Sequence, residues 1–386
     1  MEEGKILSAY YTYNPDTEAL RPEDINGSIL THLIVFLADV CSSTGQIMCP
    51  PWLPEGLKRC VALKHKFPHL KVMFCLGSTT MSPVARSPEL RRVCITSVVA
   101  LLEECGLDGM DIDWEFPAWN SGHSEDKKHY VDLLRELREA FDRHSPRYLL
   151  TMAGAATKLI IDPAYDIPAI APCIDFLNLM CYDYHLFKPY DIWAGHNAPM
   201  FRRREQHGFF ATMNTQWSCE YWERRGMPKE KIVVGIPTYA RSWQLLFPCF
   251  PYYHAPCTKE NCSLTYVQVQ EFLAQGGTRV FDKQAGVPYA YHRRQWISYE
   301  DEESMDVKTQ WVRRNGYGGA MIFSLNHDDY AGILKNGEKF PLTSLAWKNV
   351  MGGEAVEAVG RKQQLLAAGD SSQVEFSMTS ERKKLL

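Results

Sequence analysis

Short apolar runs rich in β-branched residues alternate along this chain with longer segments of helical periodicity, the pattern of βαβ units around a parallel sheet. Eight strand candidates can be placed, at Lys5–Tyr11, Thr31–Ala38, Lys71–Leu76, Gly106–Glu115, Tyr148–Ala153, Asp175–Tyr182, Lys231–Tyr239 and Gly319–Leu325. Between the third and the fourth, Ser87-Pro88 offers an N-cap followed by proline at the first helical position. Leu90, Val93, Val98, Leu101 and Cys105 then approximate one helical face. In the next connection Tyr130, Leu133, Leu134, Leu137 and Phe141 recur at helical spacing and stop before Ser145-Pro146. Eight strands with helical crossovers favour a closed α/β architecture, a (β/α)8 TIM barrel, over an open doubly wound sheet.

One crossover is too long for a plain loop. About 80 residues separate the last two strand candidates, and their first half is rich in Pro, Tyr and Gly. The barrel is therefore expected to span residues 1–351, with a small α+β insertion at about 242–292, between strands 7 and 8. Residues 352–386 carry Gly-Gly, Ser-rich and charged stretches without an apolar face, the composition of a disordered tail.

Composition narrows the partners. A formal net charge of -4 with no basic stripe argues against nucleic acid. The longest apolar runs, such as Leu149 to Ala156, are far shorter than the roughly 20 residues of a spanning helix. The sequence opens with Glu2 and Glu3, where a secretory leader would carry bases, so no signal peptide is visible. Among the 12 cysteines, Cys75 and Cys181 sit in apolar runs and read as buried thiols. Cys249, Cys257 and Cys262 bunch in an irregular segment, where disulfide bonding and free thiols are equally open readings. Asn26 and Asn261 begin Asn-x-Ser sequons, a weak pointer to a secreted protein.

The chemistry concentrates in Asp108-Gly109-Met110-Asp111-Ile112-Asp113-Trp114-Glu115-Phe116-Pro117. Strand geometry aims Asp111, Asp113 and Glu115 at one side, and on a barrel strand that side can be the interior, opening at the carboxyl end. Carboxylates a few ångströms apart repel, so at least one should hold a proton near neutral pH. Glu115 comes last, nearest the mouth, and is the natural proton donor. A solvated turn fits poorly with the apolar residues between the acids. A calcium or magnesium site is the stronger alternative on chemistry alone.

The same residues resemble a known signature. Asp108-Gly109-x-Asp111-x-Asp113-x-Glu115, with Trp114, Phe116 and Pro117 around it, is similar to the chitinase version of the glycoside hydrolase family 18 motif. Thr31-His32-Leu33-Ile34, Met180-Cys181-Tyr182-Asp183, Gly235-Ile236-Pro237-Thr238-Tyr239-Ala240-Arg241 and Gly318-Gly319-Ala320-Met321 resemble further strands of that family. The likeness covers about residues 5 to 350 and turns the reading away from a metal. It implies no cofactor, and a monomer acting outside the cell on chitin or chitooligosaccharide. The substrate's N-acetyl oxygen would be the nucleophile, Glu115 the general acid, Asp113 the orienter of the acetamide, and Asp111 its proton-sharing neighbour. Tyr182 would donate to the acetamide oxygen, and Asp108 falls in the catalytic motif. Asp183, Met180, Tyr239, Arg241, Phe323, Tyr11 and Phe36 map to positions that line or brace the sugar site.

The departures from the family pattern are aromatic. Phe323 stands where the family has a floor Trp, and Cys75-Leu76-Gly77-Ser78-Thr79 replaces a strand that ends in Trp. Asn14 and Lys188 occupy two more positions that are often Trp, while Ser8 or Ala9 and Leu30 fall where secreted members have a cysteine pair. Weak binding of long chains is expected unless Tyr13, Tyr184, Trp193, Tyr252 or Tyr253 compensates. A non-catalytic lectin is the second functional class, and family members that became lectins generally lose the acid that Glu115 supplies here.

Overall fold

The computed structural model describes residues 4–17, 19–119, 123–188, 191–334 and 337–352. Its first strands are β1 (Ile6–Thr12), β2 (His32–Val40), the short β3 (Ile47–Met48), β4 (Lys71–Ser78) and β5 (Gly109–Trp114). They continue with β6 (Leu149–Ala155), β7 (Phe176–Met180) and β8 (Ile232–Pro237). Five strands of a second sheet follow, β9 (Arg241–Leu245), β10 (Cys257–Glu260), β11 (Thr278–Asp282), β12 (Val287–His292) and β13 (Gln295–Ser298). The last strand is β14 (Gly319–Phe323).

The parallel strands run in the order β1-β14-β8-β7-β6-β5-β4-β2, and β1 also pairs with β2 in parallel, so the sheet closes on itself. This is the expected (β/α)8 barrel. At the closing seam a Cβ on Gly319 would lie 1.8 Å from the Ile6 carbonyl oxygen, and one on Gly109 would lie 2.2 Å from that of Leu149. Only a residue without a side chain fits at either place.

Local sequence sets the helices. Ser87 Oγ accepts from the Leu90 amide, Pro88 opens the helix Pro88–Cys105, and Gly106 ends it at φ 68°. The helix Asp126–Phe141 buries Tyr130, Leu133, Leu134, Leu137 and Phe141 against the barrel, the face read from their spacing. Two apolar layers result. The larger lies between sheet and helices, and a smaller one of Tyr10, Ile34, Met73, Cys75, Phe176, Val233 and Met321 fills the barrel's interior.

The insertion is an antiparallel sheet in the order β10-β9-β13-β12-β11 with the helix Tyr266–Ala274. It runs beyond the expected residue 292, because Gln295–Ser298 pairs with both β12 and β9 and joins the two halves of that sheet. All 12 cysteines are free thiols, with Cys249 and Cys262 exposed and Cys257 buried, so the disulfide considered for that loop is not formed. The expected disordered tail falls, from residue 353 onward, outside the described residues. None of the described helices is long and apolar enough to cross a membrane.

Candidate active site

The period-two acids of β5 do stack on the inner side of the barrel, and burial decreases up the stack. Asp111 is fully buried, Asp113 is 7% exposed, and Glu115 is exposed at the carboxyl end. Asp111 is tightly held. Tyr10 donates to its Oδ2 at 2.6 Å, while Thr151 and Asn178 donate to Oδ1 at 2.5 and 3.0 Å. Ser8 in turn donates to Asn178 Oδ1 at 2.9 Å and fixes the amide's orientation. Burial raises the Asp111 pKa, and these hydrogen bonds oppose the rise by stabilising the ionised form.

Asp113 has no comparable support. Its Oδ1 is sealed from solvent and has no hydrogen-bond partner among the described residues. Burial pushes its pKa well above the usual carboxylate range, and the charges of Glu115 and Asp111 push it further. Glu115 is raised as well, first because the surrounding walls strip water from its carboxyl and then through the charge of Asp183. Burial and mutual repulsion thus both favour the protonated form of acids in this stack.

Above the ladder lies a cavity of about 430 Å³. Asp113 and Glu115 form one wall, and Tyr182, Asp183, Tyr239 and Arg241 another. Phe323 sits among the rings of Tyr10, Phe36, Tyr182 and Tyr239, with centroids 5.5 to 6.2 Å away. Its nearest parallel neighbour is Tyr182, stacked at an interplanar angle of 28°. Met180 and Phe36 also line the cavity. Asp183, at φ 58°, accepts from Tyr239 at 2.6 Å and from Arg241 Nε at 2.7 Å, so its carboxylate is aimed by two donors. Arg241 is held from behind by Glu260 of the inserted sheet at 2.6 Å. The insertion therefore supplies part of the wall.

Two expected site residues lie elsewhere. Tyr11 alternates to the outer face of β1, is fully buried in the layer beneath the helices, and donates to the Leu20 carbonyl at 2.7 Å. Its neighbour Tyr10 is the aromatic that reaches the acids. Asp108 precedes β5 at the opposite end of the barrel, where it pairs with Lys64 and Lys71 and accepts from the Val72 amide at 2.8 Å. That is a strand-joining role, remote from the cavity. Among the aromatics expected to replace missing Trp, Tyr13 and Tyr184 are buried, while Trp193 and Tyr252 are exposed. The sequence reading missed Tyr10, Leu186, Ser263 and His327, all of which line the cavity. None of the four left a signal in the sequence that separates it from its neighbours. No group of three or more His, Cys, Asp or Glu residues suited to a metal occurs among the described residues.

Comparison with known proteins agrees with this architecture. A family model described as glycosyl hydrolases family 18 matches residues 7–328. A probable endochitinase of Caenorhabditis elegans is 36% identical over 90% of this chain, which spans 60% of that protein's length. The crystal structure of an immunomodulatory active chitinase from Trichuris suis superposes with a TM-score of 0.84 at 30% identity, covering 90% of this chain and 100% of the other. Human YKL-39, described as a pseudo-chitinase with retained chitooligosaccharide binding, gives 0.82 at 28% identity, covering 90% and 100%. This chain belongs to glycosyl hydrolase family 18.

Proposed function

We propose that the chain hydrolyses β-1,4-linked N-acetylglucosamine polymers or oligomers, with the substrate's own acetamide as nucleophile and retention at the anomeric carbon. The observation that carries this reading is the placing of Asp113 and, one step higher, the raised-pKa acid Glu115 on one cavity. An acetamide entering the cavity would donate its N–H to the Asp113 carboxyl where that carboxyl lines the wall. Its carbonyl oxygen would then be turned toward the anomeric carbon.

Glu115 would give its proton to the glycosidic oxygen as the bond from that oxygen to the anomeric carbon breaks. The acetamide oxygen would bond to the anomeric carbon, forming an oxazolinium ring whose positive charge faces Asp113. Tyr182, whose hydroxyl has no protein partner among the described residues, would donate to the acetamide oxygen. Glu115, now ionised, would take a proton from water as that water attacks the anomeric carbon and reopens the ring. The cycle regenerates the acid and needs no metal. The setting is proposed to be extracellular, because an insoluble polymer cannot reach an enzyme enclosed by a membrane.

A lectin is the second reading, favoured by the likeness to YKL-39 and by the reduced set of cleft Trp residues. The intact acid Glu115 speaks against it. Hydrolysis of a fluorogenic N-acetylglucosamine oligomer by wild type and by Glu115→Gln, with oligosaccharide binding measured for both, separates the two. The hydrolase reading expects a rate loss of at least about 10²-fold with binding retained. Equal, negligible hydrolysis by both proteins with undiminished binding would leave the lectin.

A further inference from the structure

His327 follows β14 in a short turn, Leu325–His327, and lines the cavity although no catalytic step above uses it. Its ring packs against Tyr239 at 5.8 Å between centroids, tilted by 60°. Its orientation is fixed by one hydrogen bond, between Nδ1 and Ser324 Oγ at 2.9 Å. Ser324 is 1% exposed, and this contact is the only one its hydroxyl makes among the described residues.

That isolation decides the tautomer. If Nδ1 carried the proton and donated, the buried hydroxyl hydrogen of Ser324 would be left without an acceptor, which is costly. Ser324 Oγ therefore donates to Nδ1, and the ring's own hydrogen sits on Nε2. Burial lowers the His327 pKa, so the ring is neutral at neutral pH. His327 lines the cavity and Nε2 is not among the sealed, unpartnered atoms, which leaves its N–H as a preset donor.

We infer that His327 is a specificity-determining residue whose Nε2–H donates to a hydroxyl at the edge of the sugar ring that lies on Phe323. Phe323 and His327 line the same cavity and both pack on Tyr239, at 6.2 and 5.8 Å between centroids, so a pyranose resting on Phe323 would bring its edge toward His327. A neutral donor selects a sugar carrying an acceptor there and rejects one lacking it, because the N–H would otherwise face an apolar edge. The inference rests on the reading of the cavity as a sugar site.

The test uses a fluorogenic N-acetylglucosamine dimer and versions of it with single hydroxyls replaced by hydrogen, assayed on wild type and His327→Phe. Phe keeps a ring against Tyr239 and removes the donor. Wild type should lose about 3- to 10-fold in kcat/KM on one deoxy version, in keeping with one neutral hydrogen bond. His327→Phe should show that loss on the parent dimer and no further loss on the same deoxy version, while the other penalties persist. Identical penalty patterns in the two proteins, at unchanged melting temperature, would overturn the assignment. Should His327→Phe not fold, His327→Gln, which retains an N–H, is expected to keep the wild-type pattern, and its disappearance there counts against the donor. Wild type that neither binds nor cleaves any N-acetylglucosamine oligomer would bring down the hydrolase reading together with this one.

Discussion

Tyr10 donates its phenolic proton to Asp111 at 2.6 Å, tying the first barrel strand to the foot of the acid ladder across the interior. Asp111 is fully buried, and apart from this bond its Oδ2 has, among the described residues, only the Cys75 thiol at 3.8 Å. Replacing Tyr10 by Phe should cost about 1–3 kcal/mol of stability, since a buried acceptor loses its main donor. Asp111 should also become harder to ionise, because the lost bond favoured the charged form. Chemical unfolding of wild type and Tyr10→Phe gives the first quantity. A variant as stable as wild type would mean that the bond contributes nothing net.

The pH dependence of hydrolysis should reflect Asp183, whose charge raises the Glu115 pKa after the larger effect of burial. On the proposed mechanism Glu115 acts in its protonated form, so activity should fall as pH rises through its pKa. Asp183→Asn removes the repelling charge and should lower that pKa, moving the alkaline limb of the kcat/KM profile to lower pH. The variant also loses the ionic part of its contacts with Tyr239 and Arg241, so a lower maximum is expected too. An alkaline limb that stays in place or moves upward would contradict the coupling.

How far the site could be read from sequence varied with the kind of signal. Period two put Asp111, Asp113 and Glu115 on one face, because a strand has only two faces and the intervening Met110, Ile112 and Trp114 claim the other. The same period excludes Asp108, three residues before Asp111, although the motif carries it along. Tyr10 and Tyr11 show the limit. Adjacent tyrosines give no phase of their own, and only the register against β14 and β2 decides which one faces inward. His327 lies beyond the last strand in a turn, where no periodicity operates, and its relation to Tyr239 exists only once the barrel has closed.

Acid stability should depend on His185, buried beside the inserted sheet, where its ring meets Tyr253 edge-on. Burial, then the neighbouring His196 and His254, lowers its pKa to about 3. The sign follows from proton uptake. Between the unfolded value near 6.5 and the folded value, only the unfolded chain binds the proton, so stability is present above that window and is lost as pH falls through it. At pH 5 the loss amounts to about 2 kcal/mol relative to neutral pH. His185→Gln should reduce the fall in unfolding free energy between pH 7 and pH 5 by about that amount. His32 and His196 are also lowered by burial, so part of the slope should remain. The same slope in variant and wild type would remove His185 from the account.

The Phe323→Trp substitution tests whether Phe323 is the floor on which a sugar rests. Phe323 is packed on Tyr10, Phe36, Tyr182 and Tyr239, yet it is only partly buried and opens to the cavity of about 430 Å³. An indole can extend into that space with its inner edge on the same four rings, and it offers a larger stacking face to a pyranose. Aromatic contacts of this kind are worth about 0.5–1.5 kcal/mol beyond area burial, which corresponds to roughly twofold to twelvefold in kcat/KM. The opposing effect is crowding against Tyr182, the ring stacked at 28°, and overpacking of this sort costs about 1–3 kcal/mol of stability. Measuring kcat/KM and melting temperature together separates the two. With the cavity side open, the expected result is a gain on oligomers with little change in melting temperature. An unchanged melting temperature with no gain on any N-acetylglucosamine oligomer would show that the substrate does not rest on Phe323, and the donor assigned to His327 would then have no ring edge to read.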